Sequence, residues 1–322
     1  MNAERKPKAG IDYPRTFNEF ETFFVDEPTC REYIAQVRWP GGYICPQCGS
    51  DRTPWKTGRG NFRCQSCDRE MSVTAGTLFE RTRFPLKTWF LAIWFVTSQK
   101  NGANALGLQR VLGLGSYQTA WTWLQKLRRA MVRPGRDRLH GNVEVDESLV
   151  GGISSGGKRG RGAENKELVA IAVEIHEPKG FGRIRMKRIN DASAESLSDF
   201  VTEAVEPGAT ILTDAWKGYN DLEKRGYKHI KTNLSDSGDP AHVVMPGVHR
   251  VASLLKRWIL GTHQGAISKK YLDYYLDEYT FRFNRRSSLS RGLLFYRLMQ
   301  HAVAMKPISY QKIVENHDHK IQ

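Results

Sequence analysis

The chain has 322 residues, with 49 Lys or Arg against 34 Asp or Glu and a formal net charge of +15. That length holds two or three domains with real apolar cores, and the basic excess favours a polyanionic partner. The longest apolar run, Trp89 to Val96, is far short of the roughly 20 residues a membrane helix needs, so no membrane partner is expected. The polar opening Met1–Gly10 lacks the apolar stretch of a signal peptide, which points to a reducing, cytoplasmic setting.

Residues 1–42 read as a helical lead-in, with Phe17, Phe20, Phe23 and Phe24 near helical spacing and Cys30 as a buried or partly buried thiol. Residues 43–80 follow as a ribbon. Cys45-Pro-Gln-Cys48 and Cys64-Gln-Ser-Cys67 are two CxxC knuckles with fifteen residues between them, the spacing of four thiolates around one structural Zn²⁺. Two disulfides, or four unrelated thiols, are the alternatives. Ser72 to Phe79 reads as a strand and turn.

Residues 81–133 form the next segment. Between Arg81 and His140 stand eleven Lys/Arg and one acid, Asp137. Pro85 sits at the start of an apolar helix over Leu86–Val96. Asn104–Leu112, a Gly-containing turn and Tyr117–Arg129 then resemble a helix-turn-helix, with Ser116 as the cap of the second helix. Ala120, Leu124 and Leu127 form its apolar stripe. On the DNA-binding reading Gln118 and Thr122 meet base edges, Lys126, off the stripe, also contacts DNA, and Arg128 and Arg129 meet phosphate. A plain three-helix bundle with a basic face is the alternative.

After a linker the pattern changes over residues 140–290. Asn142–Val150 alternates as a strand. Gly151–Asn165 holds six glycines together with Lys158, Arg159 and Arg161, and reads as a basic hairpin loop that contacts DNA. Leu168–Val173 is apolar throughout, as a strand buried on both faces would be. A strand over Ile184–Ile189, a helix over Ala194–Ala204, a strand over Ala209–Thr213, and helices near 248–260 and 269–285 follow, with a C-terminal helical tail over 291–322. Three antiparallel strands, a helix and a parallel strand is the order of a ribonuclease H-like domain with a mixed sheet. The chain is therefore read as multidomain α+β: zinc ribbon, helix-turn-helix-like domain, ribonuclease H-like domain. Asp146 lies toward the end of the first strand and Asp214 directly follows the fourth. Juxtaposed carboxylates repel without cations, so such a pair implies divalent metal suited to phosphodiester displacement.

Val143-Glu-Val-Asp-Glu147, Lys158-Arg-Gly-Arg-Gly162, Thr213-Asp-Ala-Trp-Lys-Gly-Tyr219, Leu254–Trp258, Gly261–His263 and Tyr274–Arg286 resemble the DDE transposases of bacterial insertion sequences, in the group with an N-terminal zinc ribbon. With the cysteines and Gly76–Phe79, the similarity runs from about residue 25 to 290. It implies that Asp146 and Asp214 are the first two acids of a triad binding catalytic Mg²⁺ or Mn²⁺. The third position falls on His249, where the group usually has glutamate, and Lys256 stands two turns later as in members lacking that acid. Asp273, Asp277 and Glu278 are the other acids downstream. The resemblance implies end binding, strand cleavage and strand transfer on double-stranded DNA, with a homodimer or larger assembly holding two ends. A catalytically inactive or domesticated DNA-binding relative, and a nuclease without strand transfer, remain open alternatives.

Overall fold

The computed structural model describes residues 6–133, 135–151, 166–176, 178, 180–232, 241–265 and 267–315. Lys158, Arg159 and Arg161 lie outside the described residues. The described residues fall into two compact units, one within Met1–Arg133 and Ser288–Asp318, the other within Pro134–Ser287.

The first unit starts with α1 (Phe17–Phe23) and α2 (Glu27–Arg38), whose first turns are capped by the side chains of Thr16 and Asp26. Cys30 is fully buried on α2, and burial pushes its thiol pKa up to about 12. The ribbon holds three two-residue strands, β1 (Trp55–Lys56), β2 (Phe62–Arg63) and β3 (Glu70–Met71), paired antiparallel in that order. The strand expected within Ser72–Phe79 is absent. That stretch is a chain of turns, with Ala75, Thr77 and Glu80 donating to the carbonyls of Ser72, Thr74 and Thr77, and left-handed Gly76 among them.

Helix α3 (Leu86–Ser98) follows Pro85 and has no side-chain cap of its own; its Leu86 N–H donates to Glu27 Oε2 on α2 at 2.9 Å. Its buried side chains, Trp89, Phe90, Ile93 and Trp94 among them, surround the helix axis as the all-apolar sequence requires. Then come α4 (Ala105–Leu112), left-handed Gly113 at φ 63°, and α5 (Tyr117–Ala130). Ser116 caps α5 by accepting the Thr119 N–H at 3.1 Å.

The second unit is built on a five-stranded sheet. Strands β4 (Asn142–Val150), β5 (Glu167–Ile175) and β6 (Phe181–Ile189) run antiparallel; α6 (Ala194–Ala204) crosses to β7 (Thr210–Asp214), parallel to β4, and β8 (Lys228–Thr232) adds parallel to β7. Within the order β6-β5-β4-β7-β8, the strands β6 to β7 make the ribonuclease H-like arrangement expected from the sequence, and β8 extends it at the edge. One face, with Val143, Val145, Ala170 and Ile211, packs on α6. The other, with Val169, Ile171 and Val173, packs on α8 (Pro246–His263) and α9 (Leu272–Phe283), which follow the single-turn α7 (Ala241–Val244). Strand β8 escaped the sequence reading because Lys228-His-Ile-Lys-Thr232 is a mostly exposed edge with little apolar alternation.

The chain then returns to the first unit. Helix α10 (Arg291–Ala304) is a core element there: Phe295 is fully buried against Phe20, Phe24 and Phe90, and Ala302 accepts the Leu78 N–H at 3.0 Å. Helix α11 (Tyr310–Glu315) meets α5 through Tyr310 and Trp121. No described helix is long and apolar enough to cross a membrane.

Candidate active site and metal centres

The two knuckles fold alike. Gly49 N–H closes on Cys45 O at 2.8 Å and Asp68 N–H on Cys64 O at 3.0 Å, and both closing residues take left-handed backbone, at φ 71° and 57°. Glycine adopts that conformation freely; Asp68 is held there by an ion pair with Arg63. All four Sγ atoms lie within 4.8 Å of one another, with Cys45–Cys67 at 3.8 Å and Cys48–Cys64 at 3.7 Å. Disulfide sulfurs would be about 2.05 Å apart. A tetrahedron of Zn–S bonds of about 2.3 Å has edges of about 3.8 Å, so the tetrad fits one closed, structural Zn²⁺.

Among the described residues the tetrad is the one group of three or more such side chains close enough to share an ion. The carboxylate site is built differently. Strands β4 and β7 pair Val143 with Ile211 and Glu144 with Leu212. Carrying that register two residues on sets Asp146 across from Asp214 on one sheet face. Asp146 stands midway along β4 rather than toward its end as expected, because β4 runs on to Val150 against β5, while Asp214 closes β7. Both are half-buried. Asp146 Oδ1 accepts the Glu147 N–H at 2.8 Å and Asp214 Oδ1 accepts the Trp216 N–H at 3.1 Å, which aims each carboxylate.

Beneath the pair, Tyr219 is fully buried and donates its hydroxyl to Glu147 Oε2 at 2.8 Å. Burial first, then the carboxylates of Glu147, Asp146 and Asp214, hold this phenol well above its ordinary pKa and keep it a neutral donor. In the sequence Tyr219 is marked only by its spacing from Asp214.

Helix α8 carries His249 and Lys256 seven residues apart, on one side of the helix beside the buried stripe Val248, Val251, Leu255 and Ile259. Lys256 is within electrostatic reach of Asp146; partial desolvation first, then nearby Lys166, lower its pKa against the pull of that carboxylate. His249 is half-buried near the start of α8, and the structure does not gather it with both aspartates into a three-ligand cluster. What fixes α8 to the sheet is Glu144, only 3% exposed, whose Oε2 accepts the Val248 N–H at 2.9 Å and which also bonds the Gly247 N–H. A carboxylate at a helix N-terminus satisfies free amides and opposes the dipole. The remaining downstream acids are otherwise engaged: Glu278 is fully buried with Arg282 at 2.8 Å, and Asp273 pairs with Arg188 at 3.4 Å.

On α5, Gln118 is exposed, and Thr122 and Arg129 are half-buried. Thr122 Oγ1 donates to the Gln118 carbonyl at 2.7 Å. The expectation that Arg128 meets phosphate is corrected here. Arg128 is 2% exposed, and its guanidinium lies 3.5 Å from both Gln125 Oε1 and the Ala103 carbonyl. The reason is helical phase: Arg128 follows Leu124 by four residues and shares its inward face. Lys126 is half-buried at the edge of a cavity.

Comparison with known proteins agrees with this architecture. Residues 138–284 match the ISXO2-like transposase domain and residues 25–70 match the transposase zinc-ribbon domain. Together the two matches span more than half of the chain. A protein of Halobacterium salinarum described as an uncharacterized protein in transposable element ISH50 is 28% identical over 285 residues, covering 80% of this chain and 91% of the relative. The protein is thus a transposase with a ribonuclease H-like DDE domain and a zinc ribbon, a class that acts on DNA. Its catalytic-type domain is similar to that of the ISXO2-like transposases.

Proposed function

We propose that the protein binds the ends of its own mobile element and, with Mg²⁺ or Mn²⁺, cuts a strand at each end and joins it to target DNA. The observation that supports this reading is the β4–β7 register, which brings Asp146 and Asp214 across from each other on one sheet face, with Lys256 within electrostatic reach of Asp146. Their donor set fits a hard divalent ion. Mg²⁺ is commonly held by one or two carboxylates, with phosphate oxygens and water supplying the rest, so the pair suffices without a complete protein cage. When bound, the ions activate the attacking oxygen and stabilise the leaving one.

In the first step water attacks an end phosphodiester and the 3′-oxygen leaves with a proton. In the second, that 3′-hydroxyl attacks a target phosphodiester, forming one P–O bond and expelling the target's 3′-oxygen. Asp146 and Asp214 would hold the ions that supply this chemistry, and Lys256 would offset phosphate charge beside Asp146. His249 is the protein group at the third position; an imidazole there suits Mn²⁺ better than Mg²⁺. Holding two ends calls for a homodimer or larger assembly on DNA, with the ribbon and α5 supplying end recognition.

The test uses purified full-length protein with duplexes carrying the element's ends. Asp146→Asn and Asp214→Asn are expected to abolish cleavage and joining while end affinity stays within about twofold of the parent. A parent that binds the ends yet neither cuts nor joins them with either metal would establish the inactive relative instead. Cutting without joining would establish a nuclease.

A further inference from the structure

A cavity of about 220 Å³ opens in the first unit between the turn at 80–84 and helices α3 and α5. Its floor is the stacked pair Trp89 and Trp123, with ring centroids 3.7 Å apart, and Phe84 stands edge-on to Trp123. The wall is a preorganised turn. Thr82 Oγ1 accepts the indole N–H of Trp89 at 2.8 Å and the Phe84 N–H at 3.2 Å, while donating to the Phe84 carbonyl at 3.3 Å. Arg81, in the same turn, takes left-handed backbone at φ 55°, an uncommon conformation for a side-chain-bearing residue outside a built site.

The lining is strongly cationic. Arg81, Arg83 and Lys126 line the cavity with one acid, Glu80. Glu80 is already committed: its carboxylate accepts the Gly76 N–H at 2.7 Å and lies 3.7 Å from Arg81. Among the described residues neither Arg83 nor Lys126 has an acid or hydrogen-bond partner. Lys126 is also partly desolvated, which lowers its pKa. An ammonium that is partly withdrawn from water and faces no counter-charge is unfavourable in the free protein, and an incoming anion relieves it.

Two further points narrow the ligand. The indole faces are not open for stacking, since Trp89 and Trp123 are 2% and 5% exposed, so a nucleobase finds no platform. And Lys126 follows Gln118 and Thr122 at four-residue steps, placing all three on one side of α5 about 6 Å apart along its axis. A duplex whose base edges meet Gln118 and Thr122 therefore carries its sugar-phosphate backbone past the mouth of the cavity.

We infer that this cup, formed by Lys126, Arg83 and Arg81, seats a backbone phosphate of the duplex read by α5. The inference rests on the DNA-binding reading of α5. It returns to the turn before α3 a contact that the sequence pattern assigned to Arg128. A phosphate there fixes register on the helix and carries no base preference.

The experiment measures the affinity of the full chain for an element-end duplex and for an unrelated duplex across a salt series, by fluorescence anisotropy. The R83Q/K126Q variant, checked for an unchanged unfolding midpoint, is expected to lose about tenfold in affinity on both duplexes. Its slope of log affinity against log salt should fall by about 0.9, one phosphate's share. Neutral methylphosphonates are then placed singly along the duplex. One position should weaken the parent and leave the variant unaffected, the coupling that marks a shared contact. An unchanged salt slope, or no coupled position, overturns the cup while leaving DNA binding by α5 intact. If inorganic phosphate stabilises the parent but not the variant and the DNA slope does not move, the cavity is a free-anion site and the inference is wrong. A parent that binds neither duplex in a salt-dependent way refutes the α5 reading itself, and the cup with it.

Discussion

The cysteine tetrad and the carboxylate pair differ in how their side chains are brought together, and the difference decides what each can do. The cysteine tetrad is assembled by two equivalent knuckles within a short stretch of chain, and its four soft ligands close the coordination shell. The carboxylate pair comes from two strands joined through a hairpin sheet and a crossover helix, and on the proposed function it would hold a divalent ion only with oxygens from water or substrate. The closed centre is part of the fold. The open one leaves coordination positions for chemistry.

The sharpest way to break this contrast is to remove one ligand from each. Cys67→Ser is expected to unfold the ribbon, because structural zinc supplies on the order of 10 kcal/mol of apparent folding free energy. Elemental analysis should show about one zinc per chain in the parent and loss of it in the variant, with NMR reporting the ribbon's collapse. Asp214→Asn should do the opposite. It removes one of two repelling carboxylates, so the unfolding midpoint should hold or rise while strand cleavage drops below detection. Calorimetry beside a cleavage assay separates the two; a destabilised Asp214→Asn protein would mean the pair belongs to the fold after all.

An intermediate effect is expected where the open site is held in place. A methyl group at Gly247 would lie 2.8 Å from Glu144 Oε2 and 2.7 Å from Ile175 Cδ1, too close for either neighbour. Gly247→Ala should cost about 1–3 kcal/mol in a denaturant titration. Glu144→Ala should cost a similar amount through two unpaired amides, and Glu144→Gln less, because an acceptor oxygen remains.

His249 refines the open centre. If it acts as a ligand, His249→Ala should lose about 100-fold in rate, and His249→Glu should regain Mg²⁺-supported cleavage through a hard oxygen. A His249→Ala protein that cuts like its parent would leave the third role to Lys256 or to DNA oxygens alone. The smallest effect concerns α5. Replacing Gln118 and Thr122 by Ala should lower preference for the element end by about 1–3 kcal/mol in competition binding, leaving affinity for unrelated DNA near that of the parent.

Much of this was legible from sequence, for local reasons. The knuckles, the α3 helix apolar on all sides, the Ser116 cap and the β4 alternation each depend on residues within a turn or two of one another, where spacing alone carries the signal. The neighbouring strands that carry Asp146 and Asp214 followed from the order of elements, though β4 runs four residues beyond Asp146. What the pattern could not settle were questions of phase and partnership. Arg128 reads as surface charge until the helix is rotated into its neighbours, where it shares the inward face of Leu124. Helix α10 reads as a tail until Phe295 is seen packed among Phe20, Phe24 and Phe90, some 270 residues earlier for the first two. The Glu144 contact with the amide of Val248 spans 104 residues, and the basic lining of the cavity joins a turn to a helix 40 residues on. Periodicity reports which face of an element is apolar, but not which other element covers it. Burial, desolvation and the pairing of a charge are set by that covering element, so they belong to the tertiary structure alone.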